Sequence, residues 1–133
     1  MIVVDTSVLV AILREEADAA DWIDVFDKTS KSQMSVVSYV ETSMVVHGRA
    51  RDTDPSGVTD LIEALQIEIM PVSLEQGEAA VAAFLRYGKG RHRAGLNLAD
   101  CFSYALAKVR RAPLLFKGND FAMTDLVPAR RSQ

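Results

Sequence analysis

Apolar residues open the chain as an unbroken run, Ile2-Val3-Val4, and then recur at helical spacing, with Val8, Leu9 and Ile12 on one face. A short β-branched run predicts a strand buried on both sides, and the change of period after Asp5 predicts a helix over residues 6–13. A second helix is expected over about residues 17–27, with Ala19, Ala20, Ile23 and Phe26 as its apolar stripe and Trp22 beside it. Residues 33–37 read as a strand, and Ser38 as the opening of a helix that runs to about Arg51. The cluster Asp52-Thr53-Asp54-Pro55-Ser56-Gly57 predicts a turn, with Pro55 suited to the first turn of a helix reaching about Gln66. A strand over 67–72 carries Pro71 near its end, and an alanine-rich helix follows over 74–87. Residues 88–95 form a basic, glycine-punctuated loop; 97–110 are helical, 113–117 a strand and 118–120 a turn.

Strands alternating with helices predict an α/β fold: a central, mostly parallel sheet with helices on both sides. With 133 residues, 49% hydrophobic and 25% charged, the chain is expected to form one domain over 1–133 with its own core. The net charge of −3 excludes a uniformly basic nucleic-acid binder, so contact with a polyanion needs a local patch. A single cysteine, Cys101, excludes a disulfide framework and a cysteine-based zinc site. Residues 1–5 lack the features of a signal peptide, and no apolar run approaches the roughly 18 residues of a membrane span. A soluble, cytoplasmic protein without a membrane partner is expected.

The chemistry concentrates in acids at comparable topological positions. In open α/β sheets, ligands bind beyond the carboxyl ends of the strands, where strand order switches. Asp5 follows the first strand, Glu41 and Asp100 fall in the first turns of predicted helices, and Asp120 follows the last strand. Each has a plainer explanation: Asp5 as a helix cap, Ser38-x-x-Glu41 as a capping box, Asn97-x-x-Asp100 as a looser one, Asp120 as a turn residue. Together they say more, because two carboxylates about 4 Å apart repel by roughly 4 kcal/mol at an effective dielectric of 20. Clustered acids therefore take up protons or hold a cation. A set of oxygen ligands without cysteine or a placed histidine favours Mg²⁺, with Mn²⁺ able to substitute. Such an ion activates water and stabilises phosphoryl charge, the chemistry of phosphodiester hydrolysis.

The blocks Ile2-Val3-Val4-Asp5-Thr6-Ser7, Ser38-Tyr39-Val40-Glu41, Gly88-Lys89-Gly90-Arg91-His92-Arg93-Ala94-Gly95-Leu96-Asn97-Leu98-Ala99-Asp100-Cys101 and Leu114-Leu115-Phe116-Lys117-Gly118-Asn119-Asp120-Phe121 resemble the PIN-domain family. Within it they look like the VapC toxins of bacterial toxin–antitoxin pairs. The resemblance implies a magnesium-dependent endoribonuclease acting on transfer or ribosomal RNA to restrain translation and growth. It implies Asp5 and Asp100 as principal metal ligands, Glu41 as the third acid, and Asp120 as the carrier of the fourth position. Asn119 stands where relatives often carry an acid, and Asp125 is a further candidate. A homodimer, and a hetero-oligomer with a VapB-like antitoxin, are implied as well.

Lys89, Arg91, His92 and Arg93 give an otherwise acidic chain a positive run just before Asp100. Charge runs usually face water; the alternative, which would let an acidic chain bind RNA and is the one expected here, is a phosphate-binding rail. Thr6 could steady a ligand water or a carboxylate, and Trp22, Phe26, Phe84 and Phe102 fit core stripes better than stacking platforms. Two other classes compete: aspartyl-phosphate transfer, which wants a second aspartate where Ser7 stands, and a non-catalytic α/β interaction module whose acids only cap helices.

Overall fold

The computed structural model describes residues 1–48 and 54–130. The end of the third predicted helix, the start of the turn cluster and Arg131 lie outside the described residues. Strand β1 is Ile2–Val4, followed by helices α1 (Thr6–Leu13) and α2 (Ala19–Asp27). Then come β2 (Ser32–Ser35), α3 (Val36–His47), α4 (Ser56–Ala64) and β3 (Ile67–Met70). The chain continues through α5 (Leu74–Tyr87), α6 (Leu98–Arg110), β4 (Leu114–Leu115) and a 3₁₀ turn at Phe121–Met123.

All strand pairs are parallel, in the order β3-β2-β1-β4. The chain builds outward from β1 to β3, then returns through α5 and α6 to place β4 on the other side of β1. The switch in strand order therefore falls between β1 and β4, where the Asp5 N–H donates to the Leu115 carbonyl at 2.9 Å. β4 is closed on its outer side by residues 127–129: the Leu114 N–H donates to Val127 O and the Ala129 N–H to Leu114 O.

Strand alternation divides the core into two layers. Val3 and Leu114 join Ala83, Leu96 and Leu106 beneath α5 and α6. Ile2, Val4 and Leu115 join Leu9, Trp22 and Met34 on the opposite face. Val3, Val4, Leu114 and Leu115 are wholly buried, each worth about 1.5–3 kcal/mol relative to exposure. Two-faced burial is what turns short apolar runs into strands here.

Several boundaries differ from the sequence expectation. β2 ends at Ser35, whose hydroxyl accepts the Val37 N–H and caps α3; Ser38 lies inside that helix, and no capping box joins it to Glu41. Glu41 therefore sits in the second turn. α2 is rolled so that Trp22 and Phe26 face the core while Ile23 is exposed. α3 inverts the usual pattern: its buried residues are Ser38 and Thr42, whereas Val40 and Met44 face outward. Phe84 is also exposed, beneath Arg91 rather than in the core.

Candidate active site

Three helices begin at the carboxyl edge of the sheet, and each beginning is fixed by a side chain. Asp5 caps α1 by accepting the Ser7 N–H on Oδ2 at 3.0 Å. Ser35 caps α3. Asn97 and Asp100 form a reciprocal capping box on α6: Asn97 Oδ1 accepts the Asp100 N–H at 2.9 Å, and Asp100 Oδ2 accepts the Asn97 N–H at 3.0 Å. The looser box expected from sequence is complete. Helix N-termini carry partial positive charge that favours nearby anions, so the plain capping roles of Asp5 and Asp100 coexist with membership of a site.

Two of the four acids, Asp100 and Glu41, feel the charge of the others. Asp100 is raised to about 6, first by burial and then by the negative charges of Asp5, Glu41 and Asp120, against the Asn97 N–H that draws it down. Burial also raises Glu41, helped by the charge of Asp5 and opposed by the Thr6 hydroxyl beside it. Residues from four separate segments thus share one electrostatic neighbourhood. Asp125 belongs elsewhere, accepting from the Tyr104 hydroxyl at 2.6 Å and from Lys108 Nζ at 2.8 Å. Gly118, with φ of +106°, makes the turn between β4 and Asp120, a conformation that L side chains rarely adopt.

Among the described residues, no three acidic, histidine or cysteine side chains close around a single point as a formed metal cage does. The chemistry of the donors nevertheless fits a hard divalent cation: the clustered groups are carboxylates, and Asp100 retains its proton unusually well, first because it is buried and then because of its negative neighbours. The thiol of Cys101 is buried and pushed up, first by burial, so it behaves as core.

Sequence reasoning missed two hydroxyls beneath the acids. Ser103 Oγ donates to Asp5 Oδ1 at 2.7 Å, and Ser38 Oγ lies 2.9 Å from Ser103 Oγ, with both serines fully buried. The Ser38 carbonyl in turn accepts from Thr6 Oγ1 at 3.0 Å and Thr42 Oγ1 at 2.7 Å. A legible signal existed: each serine stands three residues from an acid, Ser38 before Glu41 and Ser103 after Asp100, a spacing that shares a helix face.

The basic segment is a knot rather than a loose loop. Lys89 N–H donates to Leu96 O and Leu96 N–H to Tyr87 O, while the Arg91 and His92 N–H groups both reach the Gly88 carbonyl. A Cβ at Gly88 would stand 2.4 Å from Phe84 O, so only glycine fits this turn. His92 is used inside the knot: its Nδ1 accepts the Ala94 N–H at 3.0 Å and its ring meets Tyr87 edge-on. Lys89, Arg91 and Arg93 remain exposed. Lys117 is already engaged, its Nζ bonded to Glu16 at 2.8 Å and Asp18 at 3.1 Å.

Comparison with known proteins agrees with this architecture. Residues 2–126 match the PIN domain family profile. Ribonuclease VapC30 of Mycobacterium tuberculosis is 44% identical over 124 residues, covering 93% of this chain and 95% of that protein. Ribonuclease VapC of Mycolicibacterium smegmatis is 45% identical, covering 93% and 96%. Among solved structures, Mycobacterium tuberculosis VapC20, described as a sarcin-ricin loop cleaving toxin, superposes with a TM-score of 0.79 at 17% identity, covering 98% of this chain and 100% of that one. A chain of a toxin–antitoxin complex from Klebsiella pneumoniae superposes with a TM-score of 0.71 at 20% identity, covering 99% and 100%.

Proposed function

The chain belongs to the PIN-domain family, among its VapC ribonucleases, and from that premise we propose that it is the toxin of a toxin–antitoxin pair, cleaving RNA at the cluster of Asp5, Glu41, Asp100 and Asp120 with Mg²⁺ as cofactor. The observation that carries this reading is the influence of three acids from separate segments, Asp5, Glu41 and Asp120, on buried Asp100, which supports a single reactive centre. Asp5 and Asp100 would hold the ion, with Glu41 and Asp120 completing its surroundings. When bound, Mg²⁺ or Mn²⁺ supplies activation of water and stabilisation of charge on the phosphoryl oxygens.

The remaining work falls to the chain itself. Asp5 is held in one orientation by donors on both oxygens, a preorganised acceptor that needs no rearrangement as charge develops. Glu41, raised by burial and by its acidic neighbour, is suited to accept a proton from the attacking water at its carboxylate oxygen. Lys89, Arg91 and Arg93, braced by His92, provide phosphate contacts that hold a backbone near α6 without reading sequence. RNA serves as substrate, with transfer or ribosomal RNA as the target and translation as the process restrained.

A cytoplasmic setting follows from that substrate; no described helix is long and apolar enough to cross a membrane. A VapB-like antitoxin and a second copy of the chain are the expected partners. Exposed apolar side chains support both: Val40, Met44 and Leu98 stand beside Glu41, and Leu74, Val81 and Leu85 line α5.

The deciding experiment is incubation of the purified protein with total cellular RNA in Mg²⁺ or Mn²⁺, followed by sequencing of new RNA ends. Discrete cuts that vanish in excess EDTA are expected; cutting that persists in EDTA overturns the metal-dependent site. A second expectation concerns the basic knot. Converting Arg91 and Arg93 to glutamine in an Asp5→Asn background should weaken RNA binding and lower the slope of log K against log salt by about 1–2, since each phosphate contact contributes roughly 0.7 for single strands. An unchanged slope removes the knot from the RNA-binding surface.

A further inference from the structure

Asp5 Oδ1 is bonded to Ser103, and a carboxylate can only accept, so the Ser103 hydroxyl must spend its hydrogen there. Ser103 can then only accept from Ser38, which fixes the direction of the second bond: Ser38 O–H to Ser103 Oγ, Ser103 O–H to Asp5 Oδ1. Both hydroxyls are fully buried, where hydrogen bonds in series polarise and strengthen one another. Their positions on the chain give this relay its meaning. Ser38 lies one helical turn before Glu41 on α3, and Ser103 one turn after Asp100 on α6. The bond between them ties together the two helices that carry those acids, and its last link fixes the third.

We infer that Ser103, acting with Ser38, is a positioning residue that sets the orientation of Asp5 and the spacing of the two acid-bearing helices for divalent-ion binding. The inference rests on the metal-dependent reading of the site. The hydrogen bonds that the Thr6 and Thr42 hydroxyls donate to the Ser38 carbonyl anchor the far end of the relay, so it does not need the ion to be in place.

Outer-sphere partners of metal ligands commonly affect affinity or activity by about 10–100-fold. In Ser103→Ala, Mn²⁺ binding measured directly by calorimetry should weaken about 10-fold, with a matching rise in the Mn²⁺ concentration that half-activates RNA cleavage. Ser103→Thr, which keeps the hydroxyl, should restore wild-type Mn²⁺ affinity. Ser38→Ala should weaken binding by a smaller factor, and the double variant should bind like Ser103→Ala alone, because Ser38 reaches Asp5 only through Ser103. A lowered melting temperature with unchanged Mn²⁺ affinity would mean the serines only hold the fold, and would overturn the inference. So would independent, multiplying losses in the double variant. Should Ser103→Ala fail to fold, Ser38→Ala with wild-type Mn²⁺ affinity would overturn it just as well. If the wild-type protein neither binds Mn²⁺ nor cleaves RNA, the functional reading falls and this one with it; a wild type that does both beside an unaffected Ser103→Ala removes the positioning role alone.

Discussion

Asp5→Asn is expected to reduce RNA cleavage at saturating Mg²⁺ by about 10³-fold, roughly 4 kcal/mol of transition-state stabilisation. The change is nearly isosteric, yet it removes the negative charge on which the ion-binding reading depends. It also poses a hydrogen-bonding conflict, because both oxygens of Asp5 accept: one from the Ser7 N–H, the other from the Ser103 hydroxyl. An amide offers one acceptor and one donor. The Ser7 N–H cannot reverse, so the new amide oxygen must face it and the amide NH₂ must face Ser103. The Ser103 hydroxyl can rotate to accept and then donate to Ser38, which reverses the relay and strands only the Ser38 hydrogen, a cost of about 1–3 kcal/mol that a folded domain tolerates. The variant should therefore fold, with loss of activity that is not loss of structure. Cleavage assays beside thermal melts check this, and a folded Asp5→Asn protein retaining more than a tenth of wild-type activity would exclude Asp5 from the reactive centre.

Asp100→Asn should give a comparable loss of cleavage together with a gain in stability in EDTA. The folded protein holds a proton on Asp100 up to about pH 6, against an ordinary value of 3.8. Because the native state binds the extra proton, stability conferred at this site is complete below the ordinary pKa and declines as pH rises through about 6. Metal-free wild type should thus melt at higher temperature as pH is lowered from 7 toward 4.5, with Glu41 contributing in the same direction. Asp18 and Asp54 are held below the usual value, Asp18 foremost by its bond to Lys117 and Asp54 by the Ser56 N–H. Their contributions fade only below about pH 4, outside this window. Asparagine keeps an oxygen for the Asn97 N–H while removing the charge, so the capping box survives. Discounted for partial exposure of the side chain, the gain at neutral pH should be about 1 kcal/mol, or a few degrees in Tm. A variant that melts below wild type in EDTA at pH 7.5, or an unaltered pH slope, would show that the acids do not strain the fold.

Where local pattern and tertiary burial agree, the chain was readable. Ile2-Val3-Val4 could only be a doubly buried strand, and the alanine-rich spacing of 74–87 only a helix; both stand. The alternation of strands with helices gave the parallel sheet, and every described strand pair is parallel; the resemblance to the PIN family is matched over residues 2–126. The start of α3 was misread because Val36 and Val37 favour strand, and nothing local says that the ladder stops at the Ser35–Met70 pair. The roll of α2 was misread because Trp22 and Ile23 are adjacent apolar residues, and only packing against the sheet chooses between them. For the acids, order along the chain suggested one edge, but their influence on Asp100 needs all four segments in place. For Ser38 and Ser103 the sequence shows only a helix face shared with an acid three residues away; the bond between them needs both helices in place.

The bond from Ser103 to Asp5 joins residues 98 positions apart, and the Lys117 N–H reaches Ser7 across 110. Contacts so distant along the chain form late, because the intervening loop must close before they can reward it. A nascent polypeptide on the ribosome therefore lacks these contacts until residues 103 and 117 have emerged. Chains truncated upstream of residue 103 are expected to lack RNA cleavage for the same reason. A ribonuclease assembled in this way would thus gain activity only once its C-terminal contacts to Asp5 and Ser7 have closed.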